Sequence, residues 1–512
     1  MGPTVAIIGA GFGGLCMAIQ LHKAGIDSYT LFEKGDDVGG TWRDNTYPGA
    51  GCDIPSHLYS FSFERYSSWT RRYPGQPEIL DYLERCADKY GLRPRIRLNT
   101  EVVSAAYDET LGKWRVRTAS STKGAAGDAG GAGGAEDGNG TGDGNGGRAA
   151  GGETEELFDV VVSAVGQLNR PHLPEIPGMS SFAGTSFHSA RWDHSADLTG
   201  KRVAVIGTGS SAAQLIPPVA EAAGHLDVFQ RTPNWVIPKP DAVFNRAARA
   251  AFHYLPFTQR AYREWIYRYA EGTLYHALAG GWSTGLLRKR ALDHLRAQVP
   301  DPELRAKLTP DYPIGCKRVV IDSAFYPALT RRNVDVVTDR IVRIVPEGVE
   351  TEAGVREADT IVYATGFLTT EFLVPMELAG RQGRRLHDEW KDGAEAYLGI
   401  AVPNFPNLFL LYGPNTNLGH NSIVFMIECQ VRYIMGCLPY LKERGPMEVR
   451  PEAMDSWRRA LERAMDDMVW QAGCASWYKN AAGRVTNNWP GSTPLYRRLT
   501  RAPRPAAFRF AR

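Results

Sequence analysis

Two glycine-rich turns, Gly9-Ala10-Gly11-Phe12-Gly13-Gly14 and Gly207-Thr208-Gly209-Ser210-Ser211-Ala212, carry a spacing that lets backbone N–H groups approach a pyrophosphate. At each, a helix N-terminus adds a favourable partial charge, and the glycines let that helix pack closely on the preceding strand. The strand after the first turn, Tyr29-Thr30-Leu31-Phe32-Glu33, ends in an acid about 20 residues on, where a carboxylate can accept hydrogen bonds from an adenosine ribose. The strand after the second, Leu226-Asp227-Val228-Phe229-Gln230, ends instead in Arg231-Thr232, a cation and a hydroxyl suited to the extra ribose phosphate of NADP. The plainer readings are turns made only for packing, with Glu33 at a solvated strand end and Arg231 paired to a surface carboxylate. Two such turns, one followed by an acid and one by an arginine, imply FAD at the first and NADPH at the second.

The elements that must hold these turns lie on either side. Val5-Ala6-Ile7-Ile8 is a wholly apolar run suited to the centre of a parallel sheet, and Leu15, Ala18, Ile19 and Leu21 follow at helical spacing until Gly25. Arg202-Val203-Ala204-Val205-Ile206 repeats the pattern, with Ala213, Ile216 and Val219 continuing as a helix despite Pro217 and Pro218. Two more buried strands end in glycine, one at residues 158–166 and one leading into Ala364-Thr365-Gly366. They read as chain crossings between two nucleotide domains. The expected fold is α/β, with two Rossmann-like dinucleotide-binding domains, the NADP domain inserted into the FAD domain, and a helical insertion. Its expected boundaries are 1–170 and 366–512 for the two parts of the FAD-binding domain and 171–365 for the NADP-binding domain.

Residues 39–53 form a glycine-punctuated loop rich in aromatics and charge, including Thr41, Trp42 and Asp53, and a loop after the ribose-binding strand lies near the cofactor. On these residues alone Asp53 is a turn cap or a functional carboxylate. Residues 78–90 read as an amphipathic helix and 422–440 as a core helix. Residues 120–156 are almost entirely Gly, Ala, Asp, Asn, Thr and Glu, a composition that reads as a disordered insertion in a hairpin. Residues 245–299 are helical in period and rich in Ala, Arg and aromatics, with Trp265, Tyr267, Tyr269 and Tyr275 either in a core or in a cap over an active site. Lys317 and Arg318 set two adjacent cations at a loop-to-strand junction.

With 512 residues the chain has room for two to four domains at roughly 100–200 residues each. A net charge of +3 creates no global field favouring nucleic acid or an anionic membrane. The seven cysteines (16, 52, 86, 316, 429, 437 and 474) are scattered and never spaced C-x-x-C. This argues against a disulfide framework, a zinc site and a redox dithiol, and no metal site is expected. A reducing cytoplasm is the expected compartment. The N-terminus reads as a strand rather than a signal peptide, and no apolar run approaches the ~18–20 residues of a transmembrane helix.

Between the two turns, Phe182-x-Gly184-x-x-x-His188-x-x-x-Trp192-Asp193 is a polar connector that matches a fingerprint of type I Baeyer–Villiger monooxygenases, within the flavin-containing monooxygenase superfamily. The chain resembles that family outside 120–156, with further matches in the stretch from Gly40 to Asp53, in Gln230-Arg231-Thr232, Lys317-Arg318 and Ala364-Thr365-Gly366. The resemblance implies that NADPH reduces FAD and that a flavin peroxide inserts one oxygen of O2 beside a ketone carbonyl, giving an ester or lactone. It makes Arg318 the active-site arginine, Asp53 the carboxylate that orients it, and Arg231, Thr232 and Lys317 the NADP phosphate contacts. Trp477 becomes a loop residue that helps close the site, and the fingerprint couples cofactor binding to domain movement. Residues 412–422 and 486–491 look more like the 4-hydroxyacetophenone monooxygenase-like branch, associated with aryl-ketone and hydrocarbon-chain oxidation, than like the cyclic-ketone enzymes. The alternatives are an N- or S-oxygenating flavin monooxygenase, a flavoprotein NADPH reductase and a non-catalytic NADPH-sensing binder.

Overall fold

The computed structural model describes residues 2–121, 153–471, 473–474, 476–480 and 482–510. Two five-stranded sheets, parallel throughout, organise it. In the first, the spatial order is Leu408–Leu410, Val160–Ser163, Val5–Ile8, Tyr29–Phe32, Ile96–Arg97. In the second it is Val334–Val337, His225–Phe229, Arg202–Ile206, Thr360–Tyr363, Thr185–His188. Each glycine turn follows a central strand, and a returning strand pairs on that strand's far side, Val160–Ser163 in one sheet and Thr360–Tyr363 in the other. Each sheet has helices on one face and a smaller, largely antiparallel sheet on the other, so the central strands are apolar at every position from Val5 to Ile8 and from Val203 to Ile206, and all eight residues are buried.

The helices after the turns run Phe12–Lys23 and Ser210–Ala222. A side chain at Gly14 would overlap the Gly9 carbonyl oxygen, and Gly9 itself has φ +101°, so this turn closes only with glycine at both positions. In the second helix Pro217 and Pro218 lie inside the helical span. Pro218 has no N–H for the Gln214 carbonyl, and Gly49 of the 39–53 loop approaches that oxygen so closely that a Cβ there would strike it. The prolines thus leave a place on the helix where the loop can dock.

The connector of residues 182–193 is more regular than a polar loop: Thr185–His188 is the edge strand of the second sheet, in parallel register with Thr360–Tyr363. The helix expected over 78–90 runs Gln76–Lys89, with Pro77 in its first turn and Tyr90 as its C-cap, and the one expected over 422–440 runs Ile423–Arg444, with Ser422 as its N-cap. Lys113–Ser120 and Thr154–Phe158 pair antiparallel, which corrects the proposed insertion at both ends, because Ser120 and residues 154–156 belong to strands. Residues 122–152 lie outside the described residues. The helical excursion comprises Arg246–Tyr254, Pro256–Tyr269, a π-turn Ala270–Leu274, Tyr275–Leu278 and Thr284–Gln298. It leaves and re-enters between Val236–Ile237 and Val320–Ile321, which pair in parallel. Trp265 and Tyr269 are exposed on it, so they are not core. No helix among the described residues is long and apolar enough to cross a membrane.

Gly14→Ala is expected to cost about 1–3 kcal/mol or more by forcing the first helix off its strand, read as a lowered melting temperature in circular dichroism.

Candidate active site

Asp53 and Arg318, 265 residues apart, meet where the two nucleotide folds face each other. Arg318 Nη2 donates to Asp53 Oδ2 at 2.6 Å and Nε donates to the same oxygen at 3.2 Å. Asp53 is held by the preceding Cys52, whose N–H donates to the Pro74 carbonyl at 3.0 Å. Arg318 follows Gly315, which turns in the left-handed region at φ +90°, and precedes the strand Val320–Ile321. Both side chains are largely buried, at 27% and 18% exposure for Arg318 and Asp53. The Asp53 carboxylate holds the guanidinium's pKa above its ordinary value despite that burial. Nη1 donates to the Leu418 carbonyl at 3.4 Å. A guanidinium has five N–H donors, so two remain for another acceptor. Two phenols, Tyr412 and Tyr478, lie within electrostatic reach of it. Burial pushes Tyr478 up to about 12 and raises Tyr412 as well, so both are neutral near pH 7. The ring of Trp477 lies 4.4 Å from that of Tyr478, and its carbonyl accepts from Thr369 Oγ1 at 3.0 Å.

At the first turn, helix Phe12–Lys23 begins at Gly11 with no side-chain cap, so its N–H groups are available to an anion. Gly13 packs on Ala164 and Gly11 faces Gly40 of the loop that carries Thr41 and Trp42. Thr41 Oγ1 donates to the Leu168 carbonyl and Trp42 Nε1 to Tyr59 Oη. Glu33 is 4% exposed rather than solvated. Its Oε2 accepts from the Ala10 N–H at 2.8 Å, and Oε1 accepts from the Gly35 N–H at 2.8 Å and from Arg43 Nη1 at 2.9 Å.

The second turn repeats this design. Gly207 has φ +115°, helix Ser210–Ala222 starts uncapped at Gly209 with Ser210 and Ser211 in its first turn, and a Cβ on Gly209 would point into open space. Both N-termini fit a dinucleotide's phosphates. Beyond the second, Lys317 and Arg231 stand close: burial, then the charge of Arg231, lowers the lysine's pKa. Among the described residues neither closes a salt bridge. Lys317 Nζ lies 4.8 Å from the centre of the Tyr312 ring, and Thr232 gives its carbonyl to Thr208 Oγ1. Thr365 Oγ1 donates to the His172 carbonyl, and the Gly366 carbonyl accepts from the His172 N–H at 2.8 Å.

In the connector, a Cβ on Gly184 would strike the Asp359 carbonyl and the Phe182 ring, so this position requires glycine. His188 is buried and its Nδ1 accepts from the Ala190 N–H at 3.0 Å. Burial pushes its pKa down to about 4, so it is neutral near pH 7 and cannot serve as a charged acid there. Trp192 packs edge-on against Phe187, and Asp193 Oδ1 accepts from the Ser195 N–H and Oγ. The next residue, His194, places Nε2 2.7 Å from Thr46 Oγ1 on the first fold's loop.

Several groups at the site have no local sequence signal. Gln214 bridges the two folds, accepting from Tyr47 Oη at 2.8 Å and donating to the Gly51 carbonyl at 2.9 Å. Glu271, in the π-turn, accepts from Asn421 Nδ2 at 2.7 Å and Thr493 Oγ1 at 2.5 Å and pairs with His420 Nε2 at 3.2 Å, pinning the helical excursion beside Leu418. The expectation of no disulfide is corrected: Cys316 and Cys474 are bonded, with Cα atoms 6.3 Å apart. A separation of 158 residues hid that pairing from any spacing rule. His225, Asp227 and Asp335 form the one described group with metal-ligand spacing, and the Arg356 guanidinium already pairs with both of its carboxylates.

This site on this pair of folds defines a flavin-type monooxygenase architecture, and comparison with known proteins agrees. Residues 7–73 match the NAD(P)-binding Rossmann-like domain and residues 143–244 the flavin-binding monooxygenase-like family. A Baeyer–Villiger monooxygenase of Pseudomonas aeruginosa is 41% identical over 97% of this chain and 89% of its own length. Among solved structures, the OTEMO complex with FAD and NADP superposes with a TM-score of 0.82 at 28% identity, covering 100% of both chains. Oxidised steroid monooxygenase bound to NADP gives 0.81 at 31% identity, covering 99% of each. The chain belongs to the Baeyer–Villiger monooxygenase family.

Asp53→Ala is expected to destabilise the fold by about 1.5–3 kcal/mol, because Arg318 keeps its charge in a largely buried place and loses its partner. Thermal melts should show Asp53→Ala/Arg318→Met recovering much of that loss.

Proposed function

We propose that this chain uses FAD and NADPH to insert one oxygen atom of O2 beside a ketone carbonyl, releasing an ester or lactone. The observation that carries this reading is Arg318, held on one side by Asp53 and keeping two N–H donors for the reacting oxygen. Bound FAD, reduced by NADPH, supplies the activation of dioxygen. In this reading residues 1–170 and 366–512 bind FAD and residues 171–365 bind NADPH. Gly9, Gly11, Gly13, Gly14 and Glu33 receive the FAD pyrophosphate and ribose, with Thr41 and Trp42 alongside, and Gly207, Gly209, Ser210 and Ser211 receive that of NADPH. Arg231, Thr232 and Lys317 take the ribose phosphate. Lys317 and Arg231 repel each other, Asp311 offsets only part of that, and a dianion relieves the rest.

Arg318 then stabilises the oxyanion that forms when the carbonyl is attacked, from a position fixed before substrate arrives. Tyr412 and Tyr478 keep the surroundings neutral, and the Trp477 loop excludes water. His188 and Trp192 transmit cofactor binding between the folds and do not move protons. Oxygenation at nitrogen or sulfur is the second reading, and it creates no carbonyl-derived oxyanion for Arg318. A reducing cytoplasm is the proposed location.

Arg318→Ala should lower ester formation on the order of 10²–10³-fold while NADPH still reduces the flavin in anaerobic stopped-flow. Normal ester yield across a panel of cyclic and aryl ketones would defeat the assignment. Arg231→Ala should raise the KM for NADPH on the order of tenfold or more, since a charge-assisted phosphate contact contributes about 1.5–3 kcal/mol, and leave that for NADH nearly unchanged. Equal changes for both would remove the phosphate role.

A further inference from the structure

We propose that Cys316 and Cys474 form a reversible thiol–disulfide site that ties the segment carrying Lys317 and Arg318 to the loop carrying Trp477, and that its redox state sets the rate of turnover. For the roles of those three residues this rests on the function proposed above. The bond joins two different parts of the molecule. Cys316 belongs to the stretch that re-enters the second nucleotide fold from the helical excursion, and Cys474 to the C-terminal part that packs with the first. Oxidation therefore staples the two folds together at the active arginine, and reduction removes the staple.

The neighbourhood packs the two cysteine-bearing segments together by contacts other than the bond. Gly315 packs so tightly that a Cβ there would lie 3.2 Å from the Val469 side chain, and Val469 opens the short turn Val469–Gln471 just before Cys474. Trp470 anchors that turn at 2% exposure, and on the other side the Trp477 carbonyl is held by Thr369. Cys474 thus lies between two anchors that do not depend on the bond. Cys474 is part-exposed, which gives a small oxidant or a thiol access to the pair. The other five cysteines are free and buried, and burial pushes their thiols up, which leaves them unreactive. In the reducing cytoplasm proposed above, a disulfide that does form is ordinarily transient and redox-sensing.

The oxidant is a hydroperoxide, with hydrogen peroxide the simplest. The Cys474 thiolate attacks one peroxide oxygen, the O–O bond breaks, and hydroxide leaves as water after taking a proton, giving a sulfenic acid. The Cys316 thiol then attacks that sulfur, the S–O bond breaks, and a second water leaves. Two thiols lose two electrons and one peroxide gains them. A dithiol reductant reverses the state by exchange.

The test uses FAD-loaded wild type and Cys474→Ser, each treated with hydrogen peroxide and desalted, with half of each then reduced by dithiothreitol. Tryptic peptides mapped without reductant should contain a pair linked through residues 316 and 474 only in oxidised wild type. NADPH-driven oxygen uptake without added ketone should be slower by about fivefold or more in oxidised wild type than in reduced wild type, as expected when a conformational step limits turnover. Cys474→Ser should be equally fast in both. Absence of the linked pair overturns the site. A linked enzyme that turns over as fast as the reduced one overturns the control of rate. Neither failure bears on Arg318, whose role is read from ester yield.

Discussion

A guanidinium in a largely buried place keeps its charge but loses hydration, and a paired carboxylate offsets that loss. Asp53 does this for Arg318, and the rest of the site is arranged to bring the two together. The carboxylate comes from a loop of the first fold and the cation from the re-entry point of the excursion in the second, so the pair forms only when the folds are correctly apposed. Gln214 and Gly49 enforce that apposition at the helix where Pro217 and Pro218 interrupt regular hydrogen bonding. A helix irregularity that looks like a defect in propensity is here the docking point that fixes the distance between two charges.

The neighbouring lysine shows how electrostatics divides a dipeptide between two tasks. Arg318 points at Asp53 and is neutralised by it, whereas Lys317 lies near Arg231 and over the Tyr312 ring and forms no ion pair among the described residues. One cation is satisfied by the protein and the other is left in want of an anion. In the function proposed above, that asymmetry separates a reaction site from a phosphate site over a single peptide unit.

What the sequence disclosed follows from the range of the forces involved. The glycine turns, the apolar strands and the residues at the ends of the strands after those turns are local signals, since φ requirements and burial patterns act over a few residues, and the structure sets Glu33 against the first turn and Thr232 against the second. The polar connector hid an edge strand because Thr185–His188 has one covered and one open side, so its apolar content is low. The Leu418 carbonyl, Gln214, Glu271 and the Cys316–Cys474 bond were illegible for one reason: each acts on a partner distant in sequence, and no periodicity carries that information.

The nested strand order also bears on how the protein is made. The second sheet is complete once Thr360–Tyr363 has been synthesised, and every strand in it lies between residues 185 and 363. The first sheet begins at the N-terminus but awaits Leu408–Leu410, which covers the outer edge of Val160–Ser163. On the ribosome, where domains fold as units as they emerge, the inserted fold can close while its host still has an open edge strand of three valines and a serine. Such an edge is a template for pairing with another chain. The vulnerable species in the life of this protein is therefore the nascent one, and its exposure ends when that last short strand emerges.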